Sequence, residues 1–245
     1  MTNSKVAVVT GAGSGIGLAT AARMAGSGYT VFGTSRSRQG DDWVKQADAR
    51  PVRCDVTDER DCVRLAETVG ECDVLVCAAG GNRVMGIQSV TVDDWGFVFD
   101  LNARAVFFLN QLFGTRLRHG GAIVNVASTA AKTAVPSVAV YAAAKAAVLS
   151  ITRSFAIEYA SRGIRVNAVL PKIIDTSMQR SYLEGLAETT GEDVGEIEAR
   201  RLAEVPLKRA GTPDECASVI AFLAGDGASY VTGQSIHVCG GWLMS

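Results

Sequence analysis

Short runs of β-branched and apolar residues alternate along the chain with longer stretches whose apolar positions recur every three to four residues. "KVAVVT" (5–10), "YTVFGTS" (29–35), "PVRCDV" (51–56) and "CDVLVCAAG" (72–80) have the first character and predict strands, as do "GGAIVNVAS" (120–128), "GIRVNAVLP" (163–171) and "GQSIHVCGG" (233–241). The second character predicts helices. "IGLATAARMAGSG" follows a glycine loop, and "DERDCVRLAETVG" is capped by Asp58. A long helix starts near Thr91 and runs through "FGTRLR", and another covers 138–162. "TPDECASVIAFLAG" is a helix capped by Thr212, with Pro213 in its first turn. Strands alternating with helices imply parallel β-α-β units, hence an α/β fold with helices on both faces of its sheet. The stretch 177–205 is charged and only weakly amphipathic, and reads as a cover over a site or a solvated helix pair. Ligands in open parallel sheets bind beyond the carboxyl ends of the strands, which favours the cover.

Composition narrows the field. The chain has 245 residues, enough for one domain with a large core and short for two. Apolar residues make up 48%, and the formal net charge of −1 offers neither nucleic acid nor an acidic membrane a basic partner. No apolar run approaches the roughly 18–20 residues of a membrane span, and the N-terminus does not read as a secretory signal. The six cysteines are scattered without a C-x-x-C pair, and there are two histidines, which argues against zinc. They read as reduced, mostly buried thiols of a cytoplasmic protein.

Two features carry chemistry. The first is "VVTGAGSGIGLA", where Gly11, Gly15 and Gly17 fall between the first strand and the first helix. Residues without Cβ let the backbone approach a pyrophosphate, and the helix N-terminus offers N–H groups and partial positive charge. After the second strand stand Ser35 and Arg36, where an acid would hold a free ribose diol. A hydroxyl and a guanidinium suit a 2′-phosphate, which favours NADP(H) over NAD(H). Asp55 is either a partner for the adenine amino group or a helix N-cap. The second feature is "YAAAK". Tyr141 and Lys145 lie one helical turn apart on one face, and a nearby ammonium favours phenolate. Such a phenol can give a proton to a carbonyl oxygen or take one from an alcohol. Ser128 closes the fifth strand, and Asn102 sits inside an apolar helix, where its amide needs a partner.

Taken together, "TGAGSGIG", "AAG", the Asn of "LNARAVF", the Ser of "NVAS", "YAAAK", "RVNAVLP" and "VTGQSIHVCGG" resemble the short-chain dehydrogenase/reductase family over essentially the whole chain. The resemblance implies a single Rossmann-type, doubly wound domain over 1–245 with a seven-stranded parallel sheet. It implies Asn102, Ser128, Tyr141 and Lys145 as the catalytic group. Tyr141 is then the acid/base, and Ser128 orients the substrate oxygen. Lys145 holds the nicotinamide ribose, and Asn102 positions a relay water. The implied cofactor set is Gly11, Ser14, Gly15, Ile16, Gly17, Ser35, Arg36, Asp55, Val56, Ala79, Gly80, Tyr141, Lys145, Pro171, Ile174 and Thr176, with Thr176 at the carboxamide. A small carbonyl or alcohol substrate would meet Ser128, Tyr141, Asn82, Met178 and Tyr182. The resemblance also implies a homotetramer or homodimer, often paired through the two long helices.

Three positions depart from the family pattern. Cys77-Ala78 replaces two amides before "AG", and Cys239 replaces an aspartate. Lys172 follows Pro171 where the family has glycine, and reads either as a solvent-facing lysine or as a cation for an anionic substrate or cofactor phosphate. The alternative to an enzyme is a non-catalytic NADP(H)-binding regulator. Extended epimerase or dehydratase relatives would need a further substrate domain.

Overall fold

The computed structural model describes residues 4–244; Met1 to Asn3 and Ser245, the two ends of the expected domain, lie outside the described residues. The strands are β1 (Val6–Thr10), β2 (Thr30–Ser35), β3 (Arg50–Arg53), β4 (Cys72–Cys77), β5 (Leu117–Val126), β6 (Arg165–Pro171) and β7 (Ser235–Val238). They form one sheet in the order β3-β2-β1-β4-β5-β6-β7, with every pair parallel. The helices are α1 (Gly15–Gly26), α2 (Arg38–Gln46), α3 (Glu59–Val69), α4 (Val92–Phe99), α5 (Ala105–Gly114), α6 (Ala139–Glu158), α7 (Ser177–Thr190), α8 (Val194–Ala203) and α9 (Pro213–Ala224).

The pleat sorts the strand residues between two cores. Ala7, Val9, Val124 and Val169 pack under α1, α2 and α9 with Met24, Val44, Ile220 and Leu223. Val8, Leu75, Ile123 and Val166 face α3, α5 and α6 with Leu65, Leu109, Phe113 and Val148. A strand buried on both faces has no polar alternation to show, which is why these runs read as continuous apolar segments. The chain leaves β1 in opposite directions toward β2 and β4. The resulting crevice opens at the carboxyl ends of the central strands.

Several expected boundaries move. α2 was not expected, because "RQGDDWVKQ" contains a glycine and few apolar residues. The Ser37 side chain caps it and Val44 anchors it. The single helix expected from Thr91 is two helices joined by a wider π-type turn, Asp100–Arg104. It ends at Gly114, and "LR" already belongs to β5, which stops at Val126. β4 ends at Cys77, and 177–205 is the helix pair α7 and α8. The expected caps at Asp58 and Thr212 are present, the latter as a capping box with Glu215. Asp55 is not a cap: its carboxylate accepts from the backbone and hydroxyl of Thr57. One helix, Pro136–Glu158, is long and apolar enough to cross a membrane, contrary to the sequence reading. Its apolar side packs on the sheet through Val148, Leu149 and Phe155, so that hydropathy belongs to the core.

Candidate active site

A cleft of about 540 Å³ runs along the carboxyl ends of the central strands. Its walls are the glycine loop, the loop after β4, the segment after β5, the start of α6, the segment after β6, and α7 with α8.

At one end lies the N-terminus of α1. Side chains cap α2, α3, α4, α7, α8 and α9. α1 differs: Ser14 makes no side-chain cap bond, and no acid stands in the first turn. Its first N–H groups therefore remain free to meet an anion. Gly11 has φ of +67°, and a Cβ there would come within 2.7 Å of the Ala79 backbone. This close approach lets the glycine loop and the loop after β4 form one wall. Thr10 fixes the second loop, accepting from the N–H groups of Ala78 at 3.2 Å and Ala79 at 3.3 Å. The cradle thus fits a pyrophosphate.

Past β2, Arg36 is exposed at the rim and makes no ion pair among the described residues. Ser35 is not free as the sequence suggested. Its hydroxyl donates to Asp41 at 2.5 Å, and Asp41 also pairs with Arg53 at 2.6 Å. Asp55 does not line the cleft, although its neighbours Cys54 and Val56 do. The other expected dinucleotide residues all line it.

At the centre, Ser128 stands two residues past β5 and its Oγ accepts from Ala130 N at 3.1 Å. It lines the same cleft as the Tyr141 phenol, close enough to act on it. Lys145 is buried, and its Nζ donates to the Val126 carbonyl at 2.8 Å and lies 5.6 Å from the Tyr141 ring centroid. Burial pushes the Tyr141 phenol up to about 12, partly offset by the Ser128 hydrogen bond. Burial pushes Lys145 down to about 8. The expected lowering of the phenol by its ammonium neighbour is thus reversed, because Nζ is turned to a carbonyl and burial is the larger effect. Asn102 is fully buried behind the cleft wall rather than lining it. Its Nδ2 donates to Gly81 O at 2.7 Å and Val98 O at 2.8 Å, and its Oδ1 accepts from Gly81 N at 3.3 Å.

At the far end are Asn82, Met178 and Tyr182, all expected, together with Gln179 and Arg201, which sequence reasoning missed. No local motif marks Arg201; only the packing of α8 against α7 brings it in.

The family profile described as enoyl-(acyl carrier protein) reductase matches residues 11–243. The chain belongs to the short-chain dehydrogenase/reductase family. As a member it is an oxidoreductase acting on CH–OH and C=O groups. It is 39% identical to the 3-oxoacyl-(acyl-carrier-protein) reductase of Thermotoga maritima, over 98% of each chain. It superposes on a variant of the actinorhodin polyketide ketoreductase with NADPH at a TM-score of 0.91, with 35% identity over 99% of this chain and 98% of that one. For levodione reductase the values are 0.90 and 31%, over 97% and 96%.

The open end of α1 yields a prediction for this family member. Ser14→Asp is expected to hold or raise the unfolding midpoint, since aspartate caps well. It is also expected to weaken NAD(P)H binding by about tenfold or more through charge repulsion. Thermal unfolding and fluorescence titration of the same variant check both halves.

Proposed function

We propose that this protein is an NADP(H)-dependent reductase interconverting a ketone and a secondary alcohol, with Tyr141 as general acid and base. One observation carries the reading: a phenol, a hydroxyl and a buried ammonium meet in the same cleft as the open N-terminus of α1.

When bound, the dinucleotide supplies the hydride. Its pyrophosphate would rest on Gly11, Ser14, Gly15, Ile16 and Gly17, and its far end on Val56, Ala79 and Gly80. Pro171, Ile174 and Thr176 would hold the nicotinamide end, with Lys145 on the ribose. The substrate carbonyl oxygen would accept hydrogen bonds from Ser128 and Tyr141. With its pKa near 12, Tyr141 is a neutral phenol at ordinary pH, which is the form that donates a proton in reduction. Asn102 acts as a positioning residue, because its amide holds the Gly81 backbone and Val98. NADP(H) is favoured by Arg36, a rim cation without an ion pair, and by the NADPH of the similar ketoreductase. Asp41 occupies the Ser35 hydroxyl, so Arg36 carries that preference without Ser35.

α7 and α8 form the substrate cover, supported by Met178 and Tyr182 lining the cleft. Exposed Phe108 on α5 and Ile157 on α6 fit pairing of copies through the two long helices, as a homodimer or homotetramer would need. Six free, buried cysteines suit a reducing cytoplasm. No observation favours the non-catalytic regulator, which would have no use for Tyr141.

Tyr141→Phe is expected to lower turnover by roughly 10²–10⁴-fold and leave NADPH affinity within a few-fold. Steady-state kinetics with a ketone panel and direct titration decide, and retained turnover would remove Tyr141 from the reaction. Lys145 is charged below about pH 8 and loses its proton above it, long before Tyr141 does. kcat/KM for NADPH, which reports the free enzyme, should therefore stay level below about 8 and decline above; a flat profile contradicts the role given to the ammonium. Arg36→Asp should weaken NADPH far more than NADH, and equal losses refute the phosphate contact.

A further inference from the structure

The far end of the cleft holds two cations without an ion pair among the described residues, and unsatisfied donors. Lys172, directly after β6, lines the cleft with its Nζ 3.5 Å from the centre of the Trp242 ring. Arg201 on α8 lines it too. Its guanidinium lies 4.7 Å from the Tyr182 ring centre, and Nη1 donates to the Tyr182 hydroxyl at 3.2 Å. Burial, together with the charge of Arg201, holds the Lys172 pKa down to about 8. Nine of the other seventeen arginines are matched by carboxylates, among them Arg23–Asp214, Arg83–Asp94 and Arg209–Glu215. Neither Lys172 nor Arg201 has such a partner among the described residues. The nearby acid, Glu204, accepts from the Trp242 indole at 3.3 Å.

Two further donors are stranded. Arg201 Nε and Gln179 Nε2 are buried, and neither has a hydrogen-bond partner among the described residues. Buried polar atoms left unpaired cost free energy, and both side chains belong to residues that line the cleft. A guanidinium, an ammonium and an amide N–H₂ are all donors, so the missing partner is an acceptor, and the two cations call for a negative one.

We infer that Lys172, Arg201 and Gln179 form an oxyanion subsite and that the substrate is a ketone bearing its own anionic group, a carboxylate or a phosphate ester. This rests on the reductase reading above. Tyr141 and Ser128 take the carbonyl oxygen, and the subsite at α7 and α8 takes the anion. The anion orients the ketone along the cleft.

The test compares acetoacetate and levulinate with their methyl esters, and dihydroxyacetone phosphate with dihydroxyacetone, as substrates with NADPH. The expected result is a kcat/KM ratio of charged to neutral compound of about 10 to 100 in at least one pair, the worth of one charged hydrogen bond. A preference among the acids assigns a carboxylate, and one confined to dihydroxyacetone phosphate assigns a phosphate. Lys172→Met and Arg201→Met should each bring that ratio to within about threefold of one, whatever their absolute rates. Ratios near or below one in the wild-type enzyme overturn the inference while leaving the reductase reading intact, and need no variant to fold. A ratio unchanged in Lys172→Met with NADPH affinity lowered also overturns it, since the cation then serves the cofactor. If no ketone is reduced, the reductase reading fails. Calorimetric titration of the same pairs into the NADP⁺-loaded protein then decides by the same ratio.

Discussion

The bond from Lys145 Nζ to the carbonyl of Val126 ties the longest helix among the described residues to β5, the neighbour of the central strand. A buried ammonium costs free energy unless it finds an acceptor, so this contact ties the depth of α6 to β5. Everything at the carboxyl edge then has to fit around it. A Cβ on Gly80 would lie 3.5 Å from that Nζ and 2.9 Å from Asn102 Oδ1, so the loop after β4 can pass only as bare backbone. Asn102 clamps the same loop from behind, and Thr10 holds it from the side. Tyr141, one turn earlier on α6, inherits its position from this arrangement.

The charge distribution along the cleft follows from where the chain does and does not supply acids. The net charge of the whole is −1, yet the cleft meets a ligand with an uncapped helix end, Arg36, Lys145, Lys172 and Arg201. Carboxylates are abundant elsewhere, at the first turns of α3, α4 and α9 and in surface ion pairs. Asp41 is the exception, lying close to the rim. Burial raises its carboxyl, but the Ser35 hydrogen bond and the Arg53 ion pair outweigh that and hold it below the usual range.

Much of this could be read from residue order, for definable reasons. Strands buried on both faces, glycines before a helix and a Tyr–Lys pair at helical spacing are local patterns, and they survive folding unchanged. α2 was hidden because its stability comes from the Ser37 cap and from Val44 under the sheet rather than from its own pattern. The acceptors that satisfy Asn102 are backbone carbonyls, one of them 21 residues away, which no side-chain pattern encodes. The phenol's upward shift depends on how deeply α6 docks, so spacing alone suggested the opposite sign. Arg201 enters the cleft only through the packing of α8 on α7.

The wider turn at Asp100–Arg104 sets a rule about chain length. It accommodates one more residue than a regular helix would between α4 and α5. Deleting a residue there would close it to a regular turn and leave α5 facing the sheet, whereas deleting one from the regular turns of α5 would swing every later side chain by about 100° about the axis. Leu109 and Phe113 would keep their places in the core in the first case and lose them in the second. Length is thus negotiable at the wide turn, while in the regular turns on either side residue count is itself an inherited constraint.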